Sequence, residues 1–189
     1  MSDDRVIMNL ARTLFLSLLC LVVSATARPR APQSGDVFSD EALAKESKTL
    51  SQLKRPARLK LKRALDLLQE AHTTASVSSD FEQVAAISRR ADDAVDLAAE
   101  VIPDGVLKGT LISCKKALGH SFILRLVQKG ALNPSEPPTS EAMEDITRRY
   151  QLAGVPEYER PAKVLDFAKA HLLIASKICS GAGIIRSGR

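Results

Sequence analysis

Residues 79–102 read SDFEQVAAISRRADDAVDLAAEVI, and this stretch decides the fold class. It opens on Ser79-Asp80-Phe81-Glu82, which is typical of a capping box with Ser79 as the N-cap. Apolar or small residues then recur at alternating spacings of three and four, which places them on one face of an α-helix. They are Phe81, Val84, Ser88, Ala91, Val95, Ala98 and Ile102. The stretch therefore predicts a long amphipathic helix that ends at Pro103-Asp104-Gly105.

The same periodicity predicts further helices on both sides of this one. Upstream, one helix runs from an N-cap at Ser39 to about Leu53, and the next begins at Pro56 and reaches about Ala75. Downstream, the predicted helices span 106–129, 140–153 with Gly154 as the C-cap, and 161–179. No alternating pattern typical of a strand appears. The sequence therefore predicts a single-domain, all-α bundle of five to six helices.

The segment 106–129 differs from the others because it is apolar on more than one side. Its apolar residues fall into two groups, Leu107, Leu111 and Leu118 on one side and Ile112, Ile123 and Leu126 on the other. A helix that is apolar nearly all round belongs at the centre of a bundle. Gly119 in its interior costs about 1 kcal/mol relative to alanine, which suggests a close helix crossing or a kink there.

The N-terminus has the pattern of a cleavable secretory signal peptide. An uncharged apolar stretch, 13–23, precedes the small residues 24–27, which predicts a cut after Ala27. The stretch is shorter than the roughly 20 apolar residues that a membrane-spanning helix needs. Initiation at Met8 would give a more cationic n-region, so Met1 and Met8 are both candidate starts. The protein is thus predicted to be secreted, or periplasmic if it is bacterial, with no transmembrane segment after cleavage.

Cleavage would divide the chain into a signal peptide (1–27), a flexible leader (28–38), a helical domain (39–183) and a C-terminal tail (184–189). The alternatives for the first segment are a mitochondrial presequence, a lipoprotein signal and a buried core helix. The whole chain has a net charge of +5, and cleavage preserves it because two arginines leave together with two aspartates. A modest positive charge is compatible with anionic partners without requiring them.

Two cysteines, Cys114 and Cys179, would remain after Cys20 leaves with the signal peptide. In an oxidising compartment they predict one disulfide between two helices of the bundle. Such a bond would stabilise the fold by about 2 to 4 kcal/mol. The alternative is a pair of buried free thiols that pack as small hydrophobic groups.

The run 54–63, KRPARLKLKR, contains six cations and no acid: Lys54, Arg55, Arg58, Lys60, Lys62 and Arg63. At the start of a helix these charges oppose the macrodipole at a cost of about a few tenths of a kcal/mol each. This local cost makes a binding role a candidate, with a polysaccharide, lipid headgroups or an acidic protein as partner and no nucleic acid. The competing interpretation is a solvated helix face, neutralised by Asp66 and by Asp40, Glu41 and Glu46 of the first helix.

Motifs for catalysis or for metal and cofactor binding are missing from the sequence. The spacings of His72, His120 and His171 from the cysteines do not place two ligands on one helical face, so we expect no metal site and no cofactor. His171, on the apolar face of the last helix, is more simply a hydrogen-bonded core or interface residue. Paired carboxylates, Asp92-Asp93 and Asp96, lie opposite the apolar face of their helix and are predicted to be solvated.

The leading hypothesis is therefore a secreted or periplasmic α-helical binding protein that contacts its partner through residues 54–63. A small helical enzyme, with a site assembled between helices from dispersed residues, is the second hypothesis. A carrier of an apolar ligand is the third, and the alanine-rich helix at 81–102 disfavours it because small residues allow close packing.

Overall fold

A computed structural model of the protein describes residues 39–131 and 138–185. This part of the chain is all-α and contains no strand, which confirms the predicted helical bundle. The predicted signal peptide, the flexible leader and residues 186–189 of the tail lie outside the described residues. The helices are α1 (Asp40–Ser51), α2 (Arg55–Val77), α3 (Phe81–Ala99), α4 (Val106–Gln128), α5 (Ser140–Arg149) and α6 (Arg160–Gly181), with a short 3-10 turn (Glu157–Glu159) before α6.

The start of α3 is fixed by Asp80 rather than by Ser79. The Asp80 carboxylate accepts hydrogen bonds from the backbone amides of Glu82 and Gln83, at 2.9 and 3.1 Å. A carboxylate is favoured here because it meets two unpaired amides at the positive end of the helix dipole. The predicted capping box is therefore wrong by one residue. Ser39 caps α1 as predicted, and its hydroxyl accepts from a first-turn amide at 3.2 Å.

At the centre of the bundle lies α4, which packs most extensively on α6 and also contacts α1, α2 and α3. Leu107 and Leu111 are fully buried, whereas Ile112 and Ile123 are only partly buried. The helix is therefore central without being enclosed. The close crossing predicted at Gly119 is wrong, because a β-carbon there would have no neighbour within 4 Å.

Three helices end in a Schellman motif, in which a residue with positive φ lets the next amide donate back to a carbonyl of the last turn. This residue is Gly130 at the end of α4, with a φ of 60°, and Gly183 at the end of α6, with a φ of 64°. At the end of α5 it is Gln151, with φ of 54°, and the Leu152 amide donates to a last-turn carbonyl at 2.8 Å. The predicted helix end at 153 with Gly154 as cap is therefore wrong.

The two most closely packed helices, α4 and α6, run antiparallel. At one end of their interface the Ser121 hydroxyl donates to the Pro161 carbonyl at 3.0 Å. At the other end, residues 46–47 of α1 bind both helices. Glu46 accepts from the Leu107 amide at 2.7 Å, and the Ser47 hydroxyl lies 2.9 Å from the Ile178 carbonyl. These contacts fix the register of the two helices.

The same register separates Cys114 from Cys179, which are both buried and free. Interpolation between these end contacts puts Cys114 at about the level of residues 168–171, so Cys179 lies about 12 to 16 Å farther along α6 at about 1.5 Å per residue. A disulfide requires Cα atoms within about 7 Å of each other. The predicted disulfide is therefore absent from the structure, and the cysteines pack as two separate buried thiols.

Candidate functional site

The basic run 54–63 forms the start of α2, and nothing in its first turn offsets the charge. Lys54 is the N-cap residue and provides no side-chain cap, while Pro56 occupies the first turn. The first turn also contains no acidic residue. Unpaired amides at a helix N-terminus favour negative charge, so cations here oppose the macrodipole. The sequence therefore accepts a local loss of helix stability at this end of α2.

Three of the six cations line one groove on the surface. Arg55, Arg58 and Lys62 follow one another at spacings of three and four, with Leu59 between them on the same helix face. The groove encloses about 370 Å³ and is lined by these residues together with Leu53 and Ile184. We call it the basic groove. The remaining cations of the run, Lys54, Lys60 and Arg63, do not line it.

Arg58 has a structural role in addition to its charge. Its guanidinium donates to the backbone carbonyl of Gly183 at 2.5 Å and approaches that of Ala182 at 3.5 Å. These carbonyls follow the last turn of α6, where a cation is favoured by the helix dipole. Sequence reasoning missed this role because the partners lie more than a hundred residues away in the chain. Arg58 therefore fastens the end of α6 to the wall of the basic groove.

One acid neutralises part of the run, as the spacing predicts. Lys62 forms an ion pair with Asp66 at 2.6 Å. Both side chains are about half-exposed, so solvent screens the pair and it contributes little to stability. Among the residues that the structure describes, this is the only salt bridge that involves the basic run.

Two acids of α1 that were candidates to neutralise the run are engaged elsewhere. Asp40 pairs with Lys177 at 2.5 Å, and this hydrogen bond holds the pKa of the carboxyl below its usual value. The Glu46 carboxylate accepts from the Val106 and Leu107 amides at 2.9 and 2.7 Å, and so caps the start of α4. Their charge is therefore used at other helix ends, and neither acid forms a salt bridge with the basic run.

A second cluster, which the sequence reasoning did not assemble, joins α4, the end of α5 and α6. The His120 Nδ1 and the Tyr150 hydroxyl share a hydrogen bond at 2.9 Å. The Tyr150 ring packs edge-on against Phe167, which lies 4.4 Å from the His171 ring between centroids. The signal available in the sequence was the placement of Tyr150 and His171 on the apolar faces of their helices. Which residues they meet depends on how the helices pack.

Burial keeps this cluster uncharged at neutral pH. It lowers the pKa of His120, with a further effect from Arg149, and lowers the pKa of His171. It also raises the pKa of Tyr150 to about 12. Nδ1 of His171 is buried without a hydrogen-bond partner among the described residues, so the hydrogen bond expected for this histidine is not found at that nitrogen. The cluster therefore holds α5 to the bundle through one hydrogen bond and aromatic packing.

The other groups with potential for chemistry do not converge on a common site. The His72 Nε2 lies 3.2 Å from the Leu165 carbonyl, which fixes α2 against α6. Asp96 is exposed and pairs with Lys115 of α4 at 2.8 Å, whereas Asp92 is half-buried and burial raises its pKa. In residues 39–131 and 138–185 no three His, Cys, Asp or Glu side chains are placed to hold a metal ion.

Two further open cavities lie away from the basic groove and from the histidine cluster. One, of about 630 Å³, lies between α5 and the start of α6 and is lined by residues that include Glu144, Arg148 and Arg160. The other, of about 530 Å³, lies between α1 and the end of α6, beside the Asp40–Lys177 pair. Neither cavity is lined by a histidine, a cysteine or a pair of carboxylates, and the second is lined by Asp40 together with Lys48 and Lys177.

Within the described ranges, no helix is both long enough and apolar enough to cross a bilayer. No protein-family model matches the chain, and neither a curated protein nor a solved structure is significantly similar to it.

Proposed function

We propose that this protein is a secreted or periplasmic α-helical binding protein that holds an anionic partner at the basic groove of α2. The observation that carries the proposal is that two acids of α1, Asp40 and Glu46, bind other parts of the chain and not the basic run. Asp40 and Glu46 bind Lys177 and the start of α4, so Asp66 alone offsets the run by a salt bridge in the described part of the chain. A positive surface of this kind attracts anions at moderate ionic strength.

The arrangement at the helix start also favours binding over a purely structural role. Glutamate at positions 54 and 55 would interact favourably with the helix dipole, whereas the lysine and the arginine found there oppose it. Side chains that reduce stability where better choices exist are typical of functional sites. The cost is therefore explained if these cations are needed for a ligand.

The test separates binding from stability by reversing the charge of Arg55, which lines the basic groove, and of its neighbour Lys54. In the described part of the chain neither side chain forms a hydrogen bond or an ion pair. Lys54→Glu with Arg55→Glu should raise the free energy of unfolding by about 0.5 to 1 kcal/mol, because acids suit the start of α2. The same double variant should elute from a heparin resin at distinctly lower salt than the natural chain. Arg58 is left unchanged because it binds the end of α6.

A matched control keeps the change in net charge equal. Lys163→Glu with Lys169→Glu reverses two exposed lysines on α6 and lowers the net charge by the same amount. If retention depends on the basic groove, this control should elute close to the natural chain. Equal losses for the two double variants would mean that net charge alone sets retention, and the proposed site would be wrong.

The proposed location is tested separately from the site. Expression of the full chain with its natural N-terminus should yield an extracytoplasmic protein that begins at Arg28, as measured by N-terminal sequencing or intact mass. Recovery of the uncut chain from the cytosol would contradict the predicted signal peptide and leave the binding test unaffected.

A further inference from the structure

We propose that the anionic partner of the basic groove is the headgroup surface of a lipid bilayer, which the protein contacts peripherally through the first two turns of α2. This inference rests on the proposed function and adds the class of ligand. It depends on the apolar residues that the groove places among its cations.

Leu59 is the central observation. Its side chain is 58% exposed, and it lies on the same face of α2 as Arg55 and Lys62, one turn from each. Leu53 and Ile184 line the same groove. A single exposed leucine needs no explanation. Here, however, an exposed leucine is surrounded by cations and flanked by two further aliphatic side chains.

This composition distinguishes between the possible anionic partners. An acidic polysaccharide is polar along its length and would leave Leu59 against polar groups, so only the cations would contribute to binding. A bilayer offers both kinds of surface, because anionic headgroups lie directly above the acyl chains. An amphipathic surface with basic residues beside exposed leucine is typical of proteins that bind in the membrane interface.

The expected strength of each contribution follows from these contacts. Each lysine or arginine close to an anionic leaflet strengthens partitioning by roughly fivefold, so two of them together account for about a 25-fold effect. Partial burial of Leu59 among the acyl chains adds about tenfold. The cationic part depends on anionic lipid and falls with salt, whereas the part due to Leu59 persists at higher salt.

The experiment compares two probes with one set of variants. Co-sedimentation is measured with vesicles of phosphatidylcholine alone and with vesicles that also contain phosphatidylglycerol, and retention is measured on heparin resin. The variants are Leu59→Ser and, as a control, Leu173→Ser, which changes a leucine of similar exposure on α6. Both leucines are exposed, so both variants should fold, and circular dichroism checks this.

We expect the natural chain to sediment with the vesicles that contain phosphatidylglycerol and to remain free with phosphatidylcholine alone. Leu59→Ser should weaken vesicle binding about tenfold and leave heparin retention unchanged. Leu173→Ser should change neither. Retention on heparin without vesicle binding would overturn the lipid proposal and point to a polysaccharide or an acidic protein, with the proposed function intact. Equal vesicle binding by Leu59→Ser and the natural chain would also overturn it. If the natural chain bound neither the vesicles nor the heparin resin, the proposed function itself would be contradicted.

Discussion

A β-carbon on Gly105 would lie 2.7 Å from Oε1 of Glu46, closer than the two atoms can approach. Gly105 has a φ of 175°, which any residue can adopt, so glycine is favoured there by the position of the Glu46 carboxylate rather than by its backbone. The neighbour is the carboxylate that caps α4 from α1 through the Val106 and Leu107 amides. The absence of a side chain at position 105 therefore allows one helix to cap another.

Gly105→Ala should displace the Glu46 carboxylate and reduce the free energy of unfolding by about 1 to 2 kcal/mol, the usual cost of losing a helix cap. Chemical denaturation measures the change. The structure further predicts that the effect depends on Glu46. In a Glu46→Ala background the steric conflict is absent, so Gly105→Ala should cost much less. Equal costs in both backgrounds would show that the glycine serves another purpose.

Gln151 should be replaceable by glycine with a gain in stability. It occupies the position of positive φ in a Schellman motif, where Gly130 and Gly183 stand at the ends of the other two helices. A side chain in this conformation costs about 1 kcal/mol. Gln151→Gly should therefore raise the free energy of unfolding by about that amount, as measured in urea. The reverse change, Gly130→Ala, should lower it by a similar amount, since no neighbour lies within 4 Å to compensate.

Acid should destabilise the fold through His120 and His171, because burial lowers the pKa of both imidazoles. A histidine with a lowered pKa in the folded state binds its proton more readily when the chain unfolds. Its contribution to stability is therefore complete above the unfolded pKa of about 6.5 and is lost as pH falls toward the folded pKa. Denaturation curves recorded from pH 7.5 downward should show stability declining below about pH 6.5.

His171→Phe isolates one of the two groups. The change removes a buried nitrogen that has no partner among the described residues, and the new ring can still pack on Phe167. We expect stability at pH 7.5 to be retained and the decline below pH 6.5 to become shallower. The carboxyls of Asp40 and Asp145, whose pKa values are lowered by hydrogen bonds to basic side chains, lose their contribution only below pH 3.8. An unchanged slope in this variant would assign the acid sensitivity to other groups.

Cys114 and Cys179 should stay free and react slowly in the folded protein. Burial raises the pKa of both thiols to about 12, so very little thiolate is present at neutral pH. Alkylation should be slow in buffer and fast in denaturant, and the intact mass should show no loss of two hydrogens. A cross-linked peptide that joins the two cysteines would contradict the register of α4 and α6. Because that register keeps the thiols apart, their free state is compatible with an oxidising compartment.

Sequence alone determined the helices, because their signals are local. Apolar residues at spacings of three and four, Ser39 at an N-cap and Lys62 four residues before Asp66 all concern neighbours within one or two turns. These features do not depend on how the helices later pack. The same local rules also produced the errors at Ser79 and Gly154, where a nearby residue served as the cap or C-terminal stop instead.

Tertiary structure decided everything that joins distant segments. Arg58 binds the end of α6, Glu46 caps α4, His120 meets Tyr150, and the cysteines lie at different levels of one interface. Each of these depends on which helices pack together, in what direction and in what register. Residue periodicity says which face of a helix is buried, but it does not say what that face meets. The charge of the basic groove is likewise decided by tertiary structure, because it depends on which residues the acids of α1 pair with.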